Sequence, residues 1–256
     1  MKRLIALLLA TLAFAGAARA NEGGVAWDRF PEGKLTDLAA LQNGAKLFVN
    51  HCMNCHSAAY MQYSRLTDLG LTIEQIKQNL MFPTDRIGDT MKVALDPKHA
   101  KEWFGGLPPD LTVIARSRSV PGKGSGADYV YTYLRSYYRD DKQNTGWNNL
   151  AFPGVAMPHA LWELQGQRAA VFAEDKDPHD PGKTVHRLAG FEALSPGQLS
   201  AHEYDNAVGD LVAYLQWMGE PAQGQRTRIG VFVLIFMAIF TVITWRLNAA
   251  HWKDVK

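Results

Sequence analysis

The residues best equipped for chemistry are Cys52-Met53-Asn54-Cys55-His56, a C-x-x-C-H. Two thiols at this spacing reach one edge of a flat ring, and each can add across a vinyl group of a haem. The histidine that follows can offer its imidazole to the iron from one face. Other chemistries also use C-x-x-C. A four-thiolate zinc site is excluded, because these are the only 2 cysteines in the sequence. A Cys2His2 site needs a further histidine at a suitable spacing. A thioredoxin-like dithiol expects a βαβ setting, and none is evident around this motif. The expectation is one covalent haem c.

A haem with one histidine ligand can leave its other face open, for small molecules or peroxide chemistry. It can also fill that face for electron transfer, and a methionine there raises the potential. Beyond residue 20 the methionines are Met53, Met61, Met81, Met91, Met157, Met218 and Met237. Met53 lies inside the motif and Met61 is too near to cross the ring. Met218 belongs to a packing helix and Met237 to an apolar run. Met81, Met91 and Met157 remain. Met157 is favoured, because it sits in a proline-rich stretch without helical period (152–159, FPGVAMPH). Pro158 stiffens that chain and removes an amide, which suits a strap across a haem face. His51, His99, His159, His179, His186 and His202 are expected at the surface.

These groups need helices to hold them. Leu38, Leu41, Ala45, Phe48 and Val49 share one helical face that runs into Cys52, with Thr36 or Asp37 as cap. Gly44 falls inside this helix, one turn from Phe48, where a second helix can approach closely. Its partner is predicted over 203–218, with Tyr204, Ala207, Val208, Leu211, Leu215 and Met218 on one side and Ser200 as cap. The pair resembles the terminal helices of the cytochrome c fold. Between them, Thr72 and Gln75 form a capping box for a short helix to about Leu80. Asp110 can cap another through Ile114 and Arg116. Tyr129–Tyr138 reads as a tyrosine-rich helix and 140–160 as loop. Residues 173–198, rich in Asp, Pro and Gly, read as a surface insertion. No strand pattern supports more than a short hairpin.

Both ends address a membrane. Residues 1–20 combine Lys2 and Arg3, an apolar run and an Ala18-Arg19-Ala20 ending, the pattern of a secretory signal. Residues 229–245 are uncharged and apolar, flanked by Arg226, Arg228 and Arg246, the pattern of a span. The expected organisation is a signal at 1–20, an exported haem domain at 21–225, an anchor at 226–247 and a cytoplasmic tail at 248–256. The full chain carries a net charge of +2, but residues 21–225 hold 19 Lys and Arg against 24 Asp and Glu, a net of −5. A negative body argues against nucleic acid and for a basic protein partner.

Four stretches in order then resemble one family, cytochrome c1, the haem subunit of quinol–cytochrome c reductase (the bc1 complex). They are CMNCHS at 52–57 with Tyr60 and Arg65, LPPDLTVIARSR at 107–118 with Asp128-Tyr129-Val130, FPGVAMPHALW at 152–162, and WMGEPAQGQRTRIG at 217–230. The resemblance covers most of residues 35–256. It implies a mainly α, cytochrome c-like haem domain with loop insertions and a single C-terminal transmembrane helix. It implies Cys52 and Cys55 as haem attachment points, His56 and Met157 as the two iron ligands, Arg118 beside a haem propionate, and Tyr129 and Pro109 against the ring. It implies electrons received from a Rieske iron–sulfur protein working with cytochrome b, and passed to a soluble or membrane-bound cytochrome c. The subunit needs no substrate catalysis of its own. The setting it implies is the periplasmic side of a bacterial inner membrane, with membrane lipid around the anchor. The alternative is another membrane-anchored monohaem cytochrome feeding a terminal reductase or oxidase. Glu102-Trp103-Phe104-Gly105-Gly106 departs from the family's small, Asn-containing lead into the Pro-Pro-Asp motif. Glu174, Asp175, Asp177 and Asp180 are expected to help attract a basic acceptor.

Overall fold

Asp37 starts the first long helix. Its carboxylate accepts hydrogen bonds from the amides of Ala39 at 2.9 Å and Ala40 at 3.3 Å, two donors that a helix start leaves without partners. The computed structural model describes residues 25–93, 95–176 and 184–253. The expected signal at 1–20, and Asp177, His179 and Asp180, lie outside them. In chain order the elements are α1 (Leu38–Leu47), β1 (Ala58–Gln62), α2 (Ile73–Asn79), β2 (Thr90–Met91), α3 (Pro97–Phe104), α4 (Ile114–Ser117), α5 (Gly126–Leu134), β3 (Tyr137–Arg139), β4 (Trp147–Asn149), α6 (Trp162–Gln165), β5 (Gly166–Lys176), β6 (Thr184–Pro196), α7 (Ala201–Gly219) and α8 (Gln223–His251). The chain divides into two units, one ending at Gly219 and the other starting at Glu220.

The core of the first unit is the α1–α7 pair. Leu41, Ala45, Phe48 and Val49 are buried against Val208, Leu211 and Leu215, but Leu38 is 52% exposed, so the apolar stripe begins one turn later than expected. Gly44 is where the backbones meet. A methyl group built there would stand 2.1 Å from the Asp210 carbonyl oxygen and 2.7 Å from Tyr214 Cβ. The Phe48 and Tyr214 rings pack beside it, 5.6 Å between centroids. Ser200 and Glu203 form a reciprocal cap on α7, with the Ser200 amide 2.9 Å from Glu203 Oε2. After Leu47 the helix widens into a π turn, Phe48–Cys52. Such turns recur at functional sites, and this one carries the chain into the C-x-x-C-H.

The intervening elements follow the sequence in part. Thr72 and Gln75 cap α2 reciprocally. Asp110 does not cap α4; its carboxylate takes the Thr112 amide at 2.9 Å and the Ala59 amide at 2.7 Å, tying two segments together. The tyrosine-rich helix is α5, capped by Ser125 and Asp128, and it ends at Leu134. Tyr137 begins a strand instead.

The larger difference is a sheet of order β4-β3-β5-β6. The polar insertion expected over 173–198 is mostly the long antiparallel β5–β6 hairpin, paired from Gly166↔Pro196 to Lys176↔Thr184. The adjacent residues Val171 and Phe172 point to opposite faces, yet are 44% and 43% exposed. Neither face is buried, so the sequence never develops the two-residue alternation that marks a half-buried strand.

The second unit holds α8. Its Gln225–His251 part has 27 residues and contains an 18-residue run with a mean hydropathy of 2.2, and at ~1.5 Å per residue it is long enough for a ~30 Å hydrocarbon layer. The Thr241 and Thr244 hydroxyls donate to the Met237 and Phe240 carbonyls at 2.7 and 2.9 Å. That satisfies them within the helix, as an apolar medium requires.

Candidate haem site

The C-x-x-C-H turn closes on itself, with the Cys55 and His56 amides both donating to the Cys52 carbonyl at 3.1 and 2.9 Å. It is then laced to the Pro-Pro-Asp segment. His56 Nδ1 lies 2.8 Å from the Pro109 carbonyl oxygen, and the Leu111 amide donates to the Ser57 carbonyl at 2.8 Å. The Asp110–Ala59 bond adds a third tie. A carbonyl can only accept, so Nδ1 carries the proton and Nε2 keeps a free lone pair. Burial lowers the His56 pKa, against the opposing pull of the Pro109 carbonyl and Asp110. The ring is neutral and held at its far nitrogen, the usual way a protein orients a metal-binding histidine.

This turn forms one wall of a cavity of about 320 Å³, within the range of small-ligand sites. Pro108 and Pro109, α5 through Tyr129, Val130 and Tyr133, residues 155–158, and Leu211 and Leu215 of α7 supply other walls. Cys52, Cys55, His56, Pro109, Arg118, Tyr129 and Met157 all line it. Met81 and Met91 do not. Both are buried in the core, and Met91 Sδ accepts the Tyr214 hydroxyl at 3.5 Å. Arg118 is exposed, with its guanidinium carbon 5.9 Å from the centroid of the Tyr129 ring. Phe104 and Gly106, from the stretch where the sequence departs from the family pattern, line the cavity next to Leu107, and Trp103 stays outside at 64% exposure.

The chemistry of the donor set fits a covalent haem. Burial, and then the neighbouring Cys55, push the Cys52 thiol up to about 12; burial raises Cys55 too. Protonated thiols are poor metal ligands and poor dithiol nucleophiles at neutral pH. Among the described residues no group of three His, Cys, Asp or Glu could hold a bare metal ion. An apolar pocket offering two thiols, one imidazole nitrogen and one thioether suits a metal delivered inside an apolar ring.

Two histidines differ from expectation. His51 is half-buried and lines the cavity. His159, expected at the surface, is 1% exposed. Its ring stacks on Tyr137 at 4.6 Å, and its Nε2 lies 2.7 Å from Gln165 Oε1. Burial lowers its pKa to about 4, so it is neutral. Tyr133 and the α7 leucines were missed as cavity residues. Tyr129 and Tyr133, four residues apart on α5, share one helical face, but no local signal says which face meets the cavity.

A helix pair crossing through a glycine, a C-x-x-C-H with an oriented imidazole and a separate apolar helix define a membrane-anchored c-type cytochrome. A profile of the Cytochrome C1 family matches residues 31–169 and 199–255. The chain is 43% identical over 222 residues to cytochrome c1 of Allochromatium vinosum, covering 86% of each. It is 37% identical over 255 residues to a Nitrosomonas europaea protein named ammonia monooxygenase gamma subunit, covering 100% of each. It is 30% identical over 285 residues to cytochrome c1 of Rhodospirillum rubrum, covering 100% of this chain and 98% of that one. The chain belongs to the cytochrome c1 family. It is thus a haem-bearing electron-transfer subunit with covalently attached haem c, and a single-pass membrane protein through α8.

Proposed function

We propose that this subunit takes electrons from a Rieske iron–sulfur protein and gives them to a soluble or membrane-bound cytochrome c, within a complex built on cytochrome b. Cys52 and Cys55 would hold one haem through thioethers, and His56 and Met157 would ligate its iron. When bound, it supplies a one-electron couple in a dry setting. The protein's residues do the rest. Pro109 holds the His56 ring through its carbonyl. Arg118 offers a guanidinium to a propionate at the cavity edge, a strong bidentate pairing. Tyr129 and the α7 leucines exclude water. The haem domain, 21–225, faces the periplasm and the 248–256 tail the cytoplasm, a reading supported by the signal-like residues 1–20.

The observation that carries this reading is the placement of Met157 on the same apolar cavity as the thiol pair and the oriented His56. The test is the ferric and ferrous spectrum of Met157→Leu beside wild type. The variant should lose the methionine-type low-spin signature. A wild-type ferrous protein that binds carbon monoxide readily at neutral pH would instead indicate an open iron. The full-length similarity to a protein named ammonia monooxygenase gamma subunit favours one further reading, an electron-transfer subunit serving a membrane monooxygenase. Purification decides between them: cytochrome b and a Rieske protein accompany the chain in the first case and are missing in the second.

A further inference from the structure

Two hydroxyls stand behind Met157. Tyr133 Oη donates to Met157 Sδ at 3.6 Å. Tyr137 Oη lies 2.8 Å from Tyr133 Oη and 3.2 Å from the Met157 carbonyl oxygen. Tyr137 has a single proton to share between those two acceptors. When it goes to Tyr133, the proton of Tyr133 is left for the sulfur. The reverse order ends on the carbonyl and leaves the sulfur bare.

Tyr137 is poorly placed to wander. It is fully buried, and its ring lies nearly parallel to that of His159, which Gln165 holds in turn. The Tyr133 ring packs edge-on against Tyr137 at 5.4 Å and stacks on Tyr129 at 5.8 Å. The donor is therefore aimed by its neighbours, and the pair addresses both the side chain and the backbone of one residue.

We propose that Tyr133, aimed by Tyr137, is a positioning residue that raises the redox potential of the site by donating a hydrogen bond to the Met157 sulfur. The proposal rests on the reading of Met157 as an iron ligand. A hydrogen bond to the sulfur draws electron density from the donor atom. It also turns the positive end of the O–H dipole toward the metal. Both effects disfavour the more positive oxidation state.

The test uses full-length, haem-loaded protein in detergent, with redox titration and the near-infrared sulfur-to-iron band of the ferric state. Tyr133→Phe removes the donor and keeps the ring. The one-electron equilibrium should shift about five-fold toward the oxidised form, the weight of one net hydrogen bond. That is about 40 mV at ~59 mV per tenfold for one electron. Replacement of Tyr133 by 3-fluorotyrosine strengthens the donor in the same volume, and the potential should rise. Loosened packing alone would move both proteins the same way, which would overturn the proposal. An unchanged or raised potential in Tyr133→Phe would overturn it too. If Tyr133→Phe takes up no haem, the fluorotyrosine protein decides alone, and an unchanged or lowered potential is the refuting result. Met157→Leu separates the two ideas. A near-infrared band that survives in it removes the ligand reading and this proposal together. A band lost there, beside an unmoved potential in Tyr133→Phe, removes only the role of the hydroxyl.

Discussion

Gly44→Ala sets two effects against each other with opposite signs. In an isolated helix, alanine is favoured over glycine by about 1 kcal/mol. In this helix the added methyl would lie 2.1 Å from the Asp210 carbonyl oxygen and 2.8 Å from its carbon. Those are backbone atoms of α7, so no side chain can rotate away. Ordinary contact requires α1 and α7 to part by roughly 1 Å along a seam packed at interior density. Small-to-large changes in such places cost about 1–3 kcal/mol, and contact with rigid backbone puts this one at the upper end. Parting the seam also disturbs the Phe48–Tyr214 contact and the π turn beside Cys52. We expect a net loss of about 2 kcal/mol after the helix-propensity gain, or about 4–8 °C in melting temperature for a domain of this size. Thermal melts of the haem-loaded protein, followed by helix signal, read it directly. A melting temperature equal to or above wild type would mean that propensity wins and that the close crossing is not what Gly44 is for.

Two further variants probe the supports of α5. Asp128 accepts the Phe30 and Ser125 amides at 2.7 and 2.9 Å. Burial opposes its ionisation, but these bonds prevail and hold its carboxyl below the usual range. A carboxyl depressed in the folded state contributes fully above its unfolded pKa of about 3.9 and loses that contribution as pH falls through the folded value. Asp128→Asn should therefore cost about 1–2 kcal/mol at neutral pH, and denaturant titrations should show the gap from wild type closing below about pH 4; a gap independent of pH contradicts the assignment. Arg135 binds Asp205 through two nitrogens, at 2.5 and 2.8 Å, and Asp28 through a third at 2.7 Å. Lysine cannot reproduce that fork. Since Asp28 and Asp205 are partly solvated, Arg135→Lys should cost only about 1 kcal/mol, less in high salt, and equal melting temperatures at low salt would refute the network's contribution.

What the sequence disclosed follows from where each signal resides. The haem motif is contiguous and needs no tertiary information. Leu41, Ala45, Phe48 and Val49 share a face with one buried side, and so do Val208, Leu211 and Leu215. Periodicity finds those helices because one side is buried and the other wet. The β5–β6 ribbon defeats the same reasoning, since Val171 and Phe172 are equally exposed on its two faces. His159 was misread for a different cause. Its proline and polar neighbours look like surface, and its interior place depends on Tyr137, Trp147 and Tyr204, which come from other segments. The expected tyrosine-rich helix exists but is overrun at its end, because the tyrosines recur past Leu134 as Tyr137 and Tyr138 of β3. Met157 could be narrowed to one of three by its setting. The tyrosines that touch it could not be found without the fold.

The base of the β5–β6 hairpin bears on how this chain can change over generations. Gly166 and Pro196 are paired, and just below them the Gln198 and Leu199 amides donate to the Glu163 and Leu164 carbonyls at 2.9 and 3.1 Å. The strands therefore leave and rejoin the body about one strand spacing apart, ~5 Å, at a point already fastened without them. The family profile breaks off at 169 and resumes at 199, close to that doorway. The first residues past it still serve the body, since Ala169 pairs with Arg139 of β3, Arg168 donates to the Tyr137 carbonyl at 2.9 Å and Phe172 meets Tyr138; only the ribbon farther out can lengthen or shorten without touching the supports of Met157 or α7. The outer ribbon is an annex, free to be remodelled while its root and the relay beneath it are inherited intact.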